Sequence, residues 1–303
     1  MSATEYEIRA GDYTAVVTER AAALRRLTFQ GRDLVVPFPQ GGPIPDYRGV
    51  IAAPWPNRIR DGRYSFDGAD YQVPVNEEER GCALHGFAFS QDWGLEARDD
   101  TSVVLSCTIE PTAGYPFALR LTAHYWLGED GLHGGVAATN TGTEAAPYGV
   151  CPHPYLLAGP APLDDWTLQV PARTFLEVTP DRLLPVRTRP VEGHEFDFRV
   201  PRAIGATEID HAFTDIAFDD AGRASLTVMD PSGTGVGMAW DGACRWLQVH
   251  TADKKPPLPN NRIGLAVEPM TCPPDAFNSG TDLVRLEPGA THEADWRIFG
   301  VPS

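Results

Sequence analysis

Short runs of alternating apolar and polar residues, each broken after a few positions by Gly, Pro, Asp or Asn, constrain this chain more than any other feature. The stretches "DYTAVVTE", "TSVVLSCTIE", "ALRLTAHYWL", "ASLTVMD" and "RWLQVHT" repeat with period two and are rich in β-branched and aromatic residues. That is the pattern expected where successive side chains point to opposite faces of a sheet. No segment keeps a helical period for three turns. The most helix-like piece, Ala21 to Leu27, reads better as a short turn leading into "LRRLTFQGRDLVV", where a Gly-Arg-Asp turn joins two strands in a hairpin. With 29 Gly and 28 Pro, turns are abundant enough for roughly twenty short strands. The expectation is an all-β protein, a large antiparallel β-sandwich of stacked sheets forming one domain over residues 1–303.

No internal repeat, low-complexity tract or linker interrupts this pattern. The densest Pro run, "ADKKPPLPNNRIG" at 252–264, predicts a long exposed loop, of the kind that either serves a site or merely crosses the surface. A chain of 303 residues with 42% hydrophobic content can bury a large core. Its 41 acidic against 25 basic residues leave a formal charge of −16. Such a surface repels nucleic acid and anionic membranes at long range and favours a small-molecule partner. The N-terminus "MSATEYEIRAGDY" lacks a basic n-region and an apolar h-region, and no run approaches the ~18 apolar residues of a membrane span. The reading is a cytoplasmic protein, monomer or homodimer. Cys82, Cys107, Cys151, Cys244 and Cys272 are scattered, odd in number and without a C-x-x-C pair, so neither a disulfide framework nor a structural zinc site is expected. Cys272, in "MTCPPDAF", reads as a small semi-buried hydrophobe.

Four stretches set one titratable group among apolar or turn residues. These are His85 in "CALHGF", His153 in "GVCPHPYLLAG", Asp210 in "TEIDHAF" and Glu268 in "GLAVEPMTCPPDAFNSG". Arg58, in "APWPNRIRDG", adds a cation. Each has an ordinary structural reading: a hydrogen-bonded core histidine, a turn cap, a surface ion pair. They lie about 30 to 70 residues apart, so only the fold can bring them together.

In chain order, these stretches resemble the motifs of the aldose 1-epimerase (galactose mutarotase) family. "PNRIRDGRYSFDGADYQVPVNE" is similar to its N-R-I stretch, and "ALHGF" to L-H-G. "PHPYLLAG" resembles the H-x-Y-F-N-L box, "EIDHAF" the D-H-x-F box, and "AVEPMTCPPDAFNSG" the E-x-Q-x-x-P-D-A-x-N box. The resemblance runs from about residue 10 to the C-terminus. It implies a β-supersandwich with one cleft, and interconversion of the α- and β-anomers of a free monosaccharide without cofactor or metal. Opening a cyclic hemiacetal takes a proton from the anomeric hydroxyl and gives one to the ring oxygen, and closure on the other face reverses both. One base and one acid therefore suffice, and a carboxylate and an imidazole are suited to the work.

By the same resemblance, Glu268 is the base at the anomeric hydroxyl and His153 the acid at the ring oxygen. His85 binds near the ring oxygen, Asp210 and Arg58 grip hydroxyls on the far side, and Gln248 and Trp246 in "RWLQVHT" line the cleft. Trp246 is also readable as core. The chain departs from the family pattern at Leu156 and Leu157, where Phe-Asn is usual, and at Met270, where Gln is usual. These swaps bear on which sugar is taken. The "PWPNRIRDGRY" form of the first motif looks closest to a bacterial branch connected with unusual sugars, sulfonated ones among them. An anionic sugar would need cations, and Arg58, Arg60, Arg63, Lys254 and Lys255 are the local sources. Alternatives are a hexose-6-phosphate 1-epimerase, a sugar-binding or sensing module without turnover, and, more remotely, a glycosidase pairing Asp210 with Glu268.

Overall fold

The computed structural model describes residues 4–254 and 258–302. Two large antiparallel sheets dominate. The first has nine strands: Gly94–Arg98, Ser102–Ile109, Leu119–Gly128, Gly131–Asn140, Thr291–Val301, Gly235–Asp241, Arg223–Met229, Thr167–Gln169 and Arg202–Ala203, in that spatial order. The second has six: Tyr155–Leu156, Leu265–Met270, Trp246–His250, Asp210–Ile216, Ala172–Val178 and Pro185–Pro190. A four-stranded N-terminal sheet and several two-stranded ribbons complete the sandwich.

The alternation seen in the sequence is the alternation of burial. Along Leu119–Gly128, residues Leu119, Leu121, Ala123, Tyr125 and Leu127 are buried, and the residues between them are more exposed. The strand pairs with Gly131–Asn140 from Leu119↔Asn140 to Gly128↔Gly131, so a two-residue turn closes the hairpin. One hydrophobic cluster runs through both large sheets. Trp55, Trp93, Trp166 and Trp240 are among its fully buried side chains, and each large side chain of this kind contributes about 2–3 kcal/mol by leaving water.

One detail differs from expectation. The N-terminal hairpin turns at Gln30–Gly31, whose φ angles are 52° and 79°. Arg32 and Asp33 already belong to the returning strand, opposite Phe29 and Thr28. Both central residues of a tight hairpin turn of this hand need positive φ, and Gly31 supplies it without strain where Arg32 would not. The loop at 252–264 carries no strand among its described residues; it is pinned by Arg262, which donates to Asp164 and Asp253 at 2.7 Å each. Ala21 and Ala22 form a turn with positive φ, as expected. No helix among the described residues is long and apolar enough to cross a membrane.

Candidate active site

The six-stranded sheet supplies the floor of a cleft of about 200 Å³. Glu268 lies on Leu265–Met270, directly opposite Gln248 on Trp246–His250; that strand in turn pairs with the strand carrying Asp210. Register thus brings three polar side chains from three adjacent strands to one surface. Gln248 Nε2 donates to Asp210 Oδ1 at 2.7 Å, and its Oε1 is buried without a protein partner. A buried amide oxygen in that condition suits a ligand hydroxyl as donor.

The wall comes from short irregular segments. His85 follows the strand Cys82–Leu84 with φ 61°, and Gly86 follows with φ 71°. A Cβ on Gly86 would sit 2.1 Å from the Ala53 carbonyl oxygen, so this close approach requires glycine. His85 and Asn57 exchange two bonds: the His85 backbone N–H donates to Asn57 O at 2.9 Å, and the Asn57 N–H donates to His85 Nδ1 at 3.3 Å. Because Nδ1 accepts, the ring proton of the neutral imidazole is assigned to Nε2, which makes His85 a donor. Asn76, in the stretch that precedes, does structural work here. Its Oδ1 accepts from the Leu84 N–H at 2.6 Å and its Nδ2 donates to Leu84 O at 3.0 Å, fixing the strand that delivers His85.

His153 follows the two-residue strand Cys151–Pro152. Its Nε2 lies 3.3 Å from Glu268 Oε1, and its ring packs edge-on against His85 at 4.9 Å and stacks on Tyr155 at 5.5 Å. Both members of the His153–Glu268 pair are buried. Burial pushes Glu268 well above the ordinary carboxylate range, and the nearby Asp210 charge adds to this. Burial lowers His153 to about 4. His85 is held well below the usual imidazole value by burial, then by His153 and Arg58. Burial alone would raise Asp210, but His250, Arg58 and Gln248 together hold it below its ordinary value.

Arg58 lines the cleft with its guanidinium held by both Glu77 oxygens at 2.8 Å. The other candidate cations are also engaged. Arg60 bonds Asp275 at 2.9 Å, Arg63 bonds Gln72 at 2.7 Å, and Lys254 bonds Asp46 at 2.5 Å; Lys255 lies outside the described residues. Of the two readings of Trp246, lining or core, the structure favours core. Trp246 shares the face of Gln248 but sits one step further along the strand, packed with Ala52, Cys151, Leu176, Ala212 and Met270, and its indole donates to Asp282 at 2.8 Å. A side chain that large, enclosed among those residues, packs into the core beside the cleft instead of lining it. Cys272 is fully buried, and all five cysteines are free. The "PPDAFN" segment is a buttress: Asp275 accepts from the Arg60 N–H at 2.9 Å and from Asn278 at 2.7 Å, bracing the strand Arg58–Arg60.

Sequence reasoning missed Asp46, Tyr47, Asn57, Tyr155 and His250, all of which line the cleft. Tyr47 packs against His85 at 4.8 Å and has φ 56°; nothing in "GGPIPDYRGV" marks it. Tyr155 had a signal, since it stands two residues after His153 in the same box.

His85, His153 and Glu268 present ligand atoms within 4.8 Å of one another, close enough in principle for a divalent cation. Their chemistry fits proton transfer better. His85 uses one ring nitrogen as acceptor and carries its proton on the other, so it offers no free lone pair, and burial favours a protonated Glu268.

Comparison with known proteins finds relatives in sequence and in fold. The family model described as aldose 1-epimerase matches residues 4–298. YihR of Escherichia coli (strain K12) is 38% identical over 295 residues, covering 97% of this chain and 92% of its own. Human galactose mutarotase is 31% identical over 166 residues, 52% of this chain and 47% of that protein, so the match spans about half of each. Among solved structures, the GalM/aldose epimerase homologue from C. elegans superposes with a TM-score of 0.85 at 21% identity, covering 99% of this chain and 100% of that one. At that identity the likeness carries the fold.

Proposed function

The chain belongs to the aldose 1-epimerase family, and on that premise we propose that it interconverts the α- and β-anomers of a free, uncharged sugar, with Glu268 and His153 as its acid–base pair. The observation that carries the reading is the 3.3 Å approach of His153 Nε2 to Glu268 Oε1 inside the cleft. The anomeric hydroxyl and the ring oxygen hang on the same carbon, so the groups that serve them must stand side by side. A pair in contact meets that demand.

Burial penalises both charged forms, so at rest one proton is shared by the pair and sits mainly on Glu268. Its passage across the contact to His153 creates the carboxylate and the imidazolium together. Glu268 then takes the proton of the anomeric hydroxyl while His153 gives one to the ring oxygen, and the C1–O5 bond opens to the free aldehyde. Rotation about C1–C2 presents the other face, the hydroxyl re-adds, and both protons return. The pair ends with the single proton it began with. His85 donates to the ring oxygen or a neighbouring hydroxyl, and Asp210, Gln248 and Arg58 hold hydroxyls across the ring.

The engaged cations favour an uncharged sugar over a hexose 6-phosphate, since every described candidate already serves a protein partner. Polarimetry or proton NMR of freshly dissolved α-anomers of glucose, galactose, xylose, arabinose, fucose, glucose 6-phosphate and a sulfonated hexose tests the proposal. Accelerated equilibration of at least one neutral sugar, lost in Glu268→Gln, is expected. Binding of sugars without acceleration of any would replace the enzyme with a sensing module.

A further inference from the structure

The catalytic carboxylate has a second partner. Cys151 lies two residues before His153 and is fully enclosed, packed with Ala52, Leu176, Ala212, Trp246 and Met270. Its Sγ stands 3.7 Å from Glu268 Oε2, while His153 stands 3.3 Å from Oε1. Among the described residues, these are the polar partners of the carboxylate; Arg58, whose charge is felt at Glu268, is committed to Glu77. We propose that Cys151 is a positioning residue for Glu268, donating its S–H to Oε2 so that Oε1 faces His153 and the cleft, and setting through that bond how tightly the carboxylate holds its proton. This inference rests on the acid–base reading above.

A thiol is well fitted to this role for a physical reason. Burial and the neighbouring carboxylate push the Cys151 thiol well up, so it stays protonated and can only donate. A thiol is a weak donor, however, so it orients the carboxylate while doing little to stabilise its charge. A hydroxyl in the same place would stabilise the anion more, and a methyl group not at all. The other groups facing Glu268 are His153 and Tyr155 from the segment after Cys151, His85 from the wall, Arg58, and Asp210 and His250 from the adjoining strands. None of these is itself replaced by a change at Cys151, and comparing two smaller residues there separates the bond from packing.

The test is the pH dependence of kcat/KM for the best sugar found, in wild type, Cys151→Ser and Cys151→Ala, with Glu268→Gln in the same assay and the uncatalysed rate subtracted. Activity needs one proton on the pair, so the alkaline limb marks its loss, chiefly from Glu268. Serine should move that limb down and alanine should move it up, each by about half a pH unit, and alanine should lower kcat several-fold. Both replacements are smaller than cysteine, so loss of packing alone would act in the same sense in both. Shifts in the same direction, or none in variants whose thermal unfolding matches wild type, would overturn the proposal. Full activity in Glu268→Gln would instead overturn the acid–base reading itself, which keeps the two failures apart.

Discussion

The floor and the wall of the cleft are built on opposite principles. Asp210, Gln248 and Glu268 stand on three neighbouring strands of a regular sheet, where register alone sets them side by side. Tyr47, Asn57 and His85 stand on short segments at φ 56°, 53° and 61°, conformations that cost free energy for residues other than glycine and persist only where the surroundings enforce them. The floor is held by a ladder that a single side chain does not interrupt, so changes there should cost function and spare the fold. The wall is held by strained turns and individual side-chain-to-backbone bonds, so changes there should cost both. The proposed acid–base pair joins the two, with Glu268 from the floor and His153 from the wall.

The largest expected effect tests that junction. Glu268→Gln and His153→Ala should each lower kcat about a hundredfold or more, the loss typical of one positioned acid or base. If either kept wild-type turnover on a good substrate, the roles assigned to floor and wall would be wrong. Next comes stability. Gly86→Ala places a Cβ 2.1 Å from a carbonyl oxygen at φ 71°, and urea unfolding should show a loss of about 2–4 kcal/mol. Gln248→Ala on the floor should cost less, about 1.5 kcal/mol, while raising KM roughly tenfold, because Asp210 loses a hydrogen bond made to a charged group. Equal destabilisation by the two changes would dissolve the contrast.

The pH profile sharpens it further. Below about 4, His153 is protonated as well as Glu268 and the pair has no base; above the raised pKa of Glu268 it has no acid. Thus kcat/KM should be bell-shaped, with its acid limb near pH 4 and its alkaline limb well above the usual carboxylate range. A further effect concerns His85. The unfolded chain takes up its proton near pH 6.5, whereas the folded protein keeps the ring neutral to much lower pH. Folding stability therefore falls as pH drops below about 6.5, by at most about 1.4 kcal/mol per pH unit. Melting temperatures at pH 7.5 and 5 should differ less in His85→Gln than in wild type; an unchanged difference would mean that His85 is not held neutral.

Much of the floor was legible because its signals are local. Alternation along "RWLQVHT" marks a strand, and family-like boxes mark Glu268 and Asp210 on its neighbours. The wall was legible only where a box happened to cover it, as at "ALHGF" and "PHPYLLAG". Tyr47 went unseen because its place follows from backbone strain in a Pro-rich turn with no repeating pattern. Trp246 was readable as cleft or core because period two identifies a face of a strand but not where along that face the cleft ends.

By itself, then, the sequence determined an all-β sandwich and the identity of the polar residues seated in apolar company, since strand period and turn chemistry act over a few neighbouring residues. The tertiary structure decided which of those residues meet. Cys151 and Glu268 are 117 positions apart, and no local rule links them. The commitment of Arg58 to Glu77, of Lys254 to Asp46 and of Trp246 to the core were decided in the same way, because contacts of that kind depend on cross-strand register and on turns held in strain by the rest of the fold.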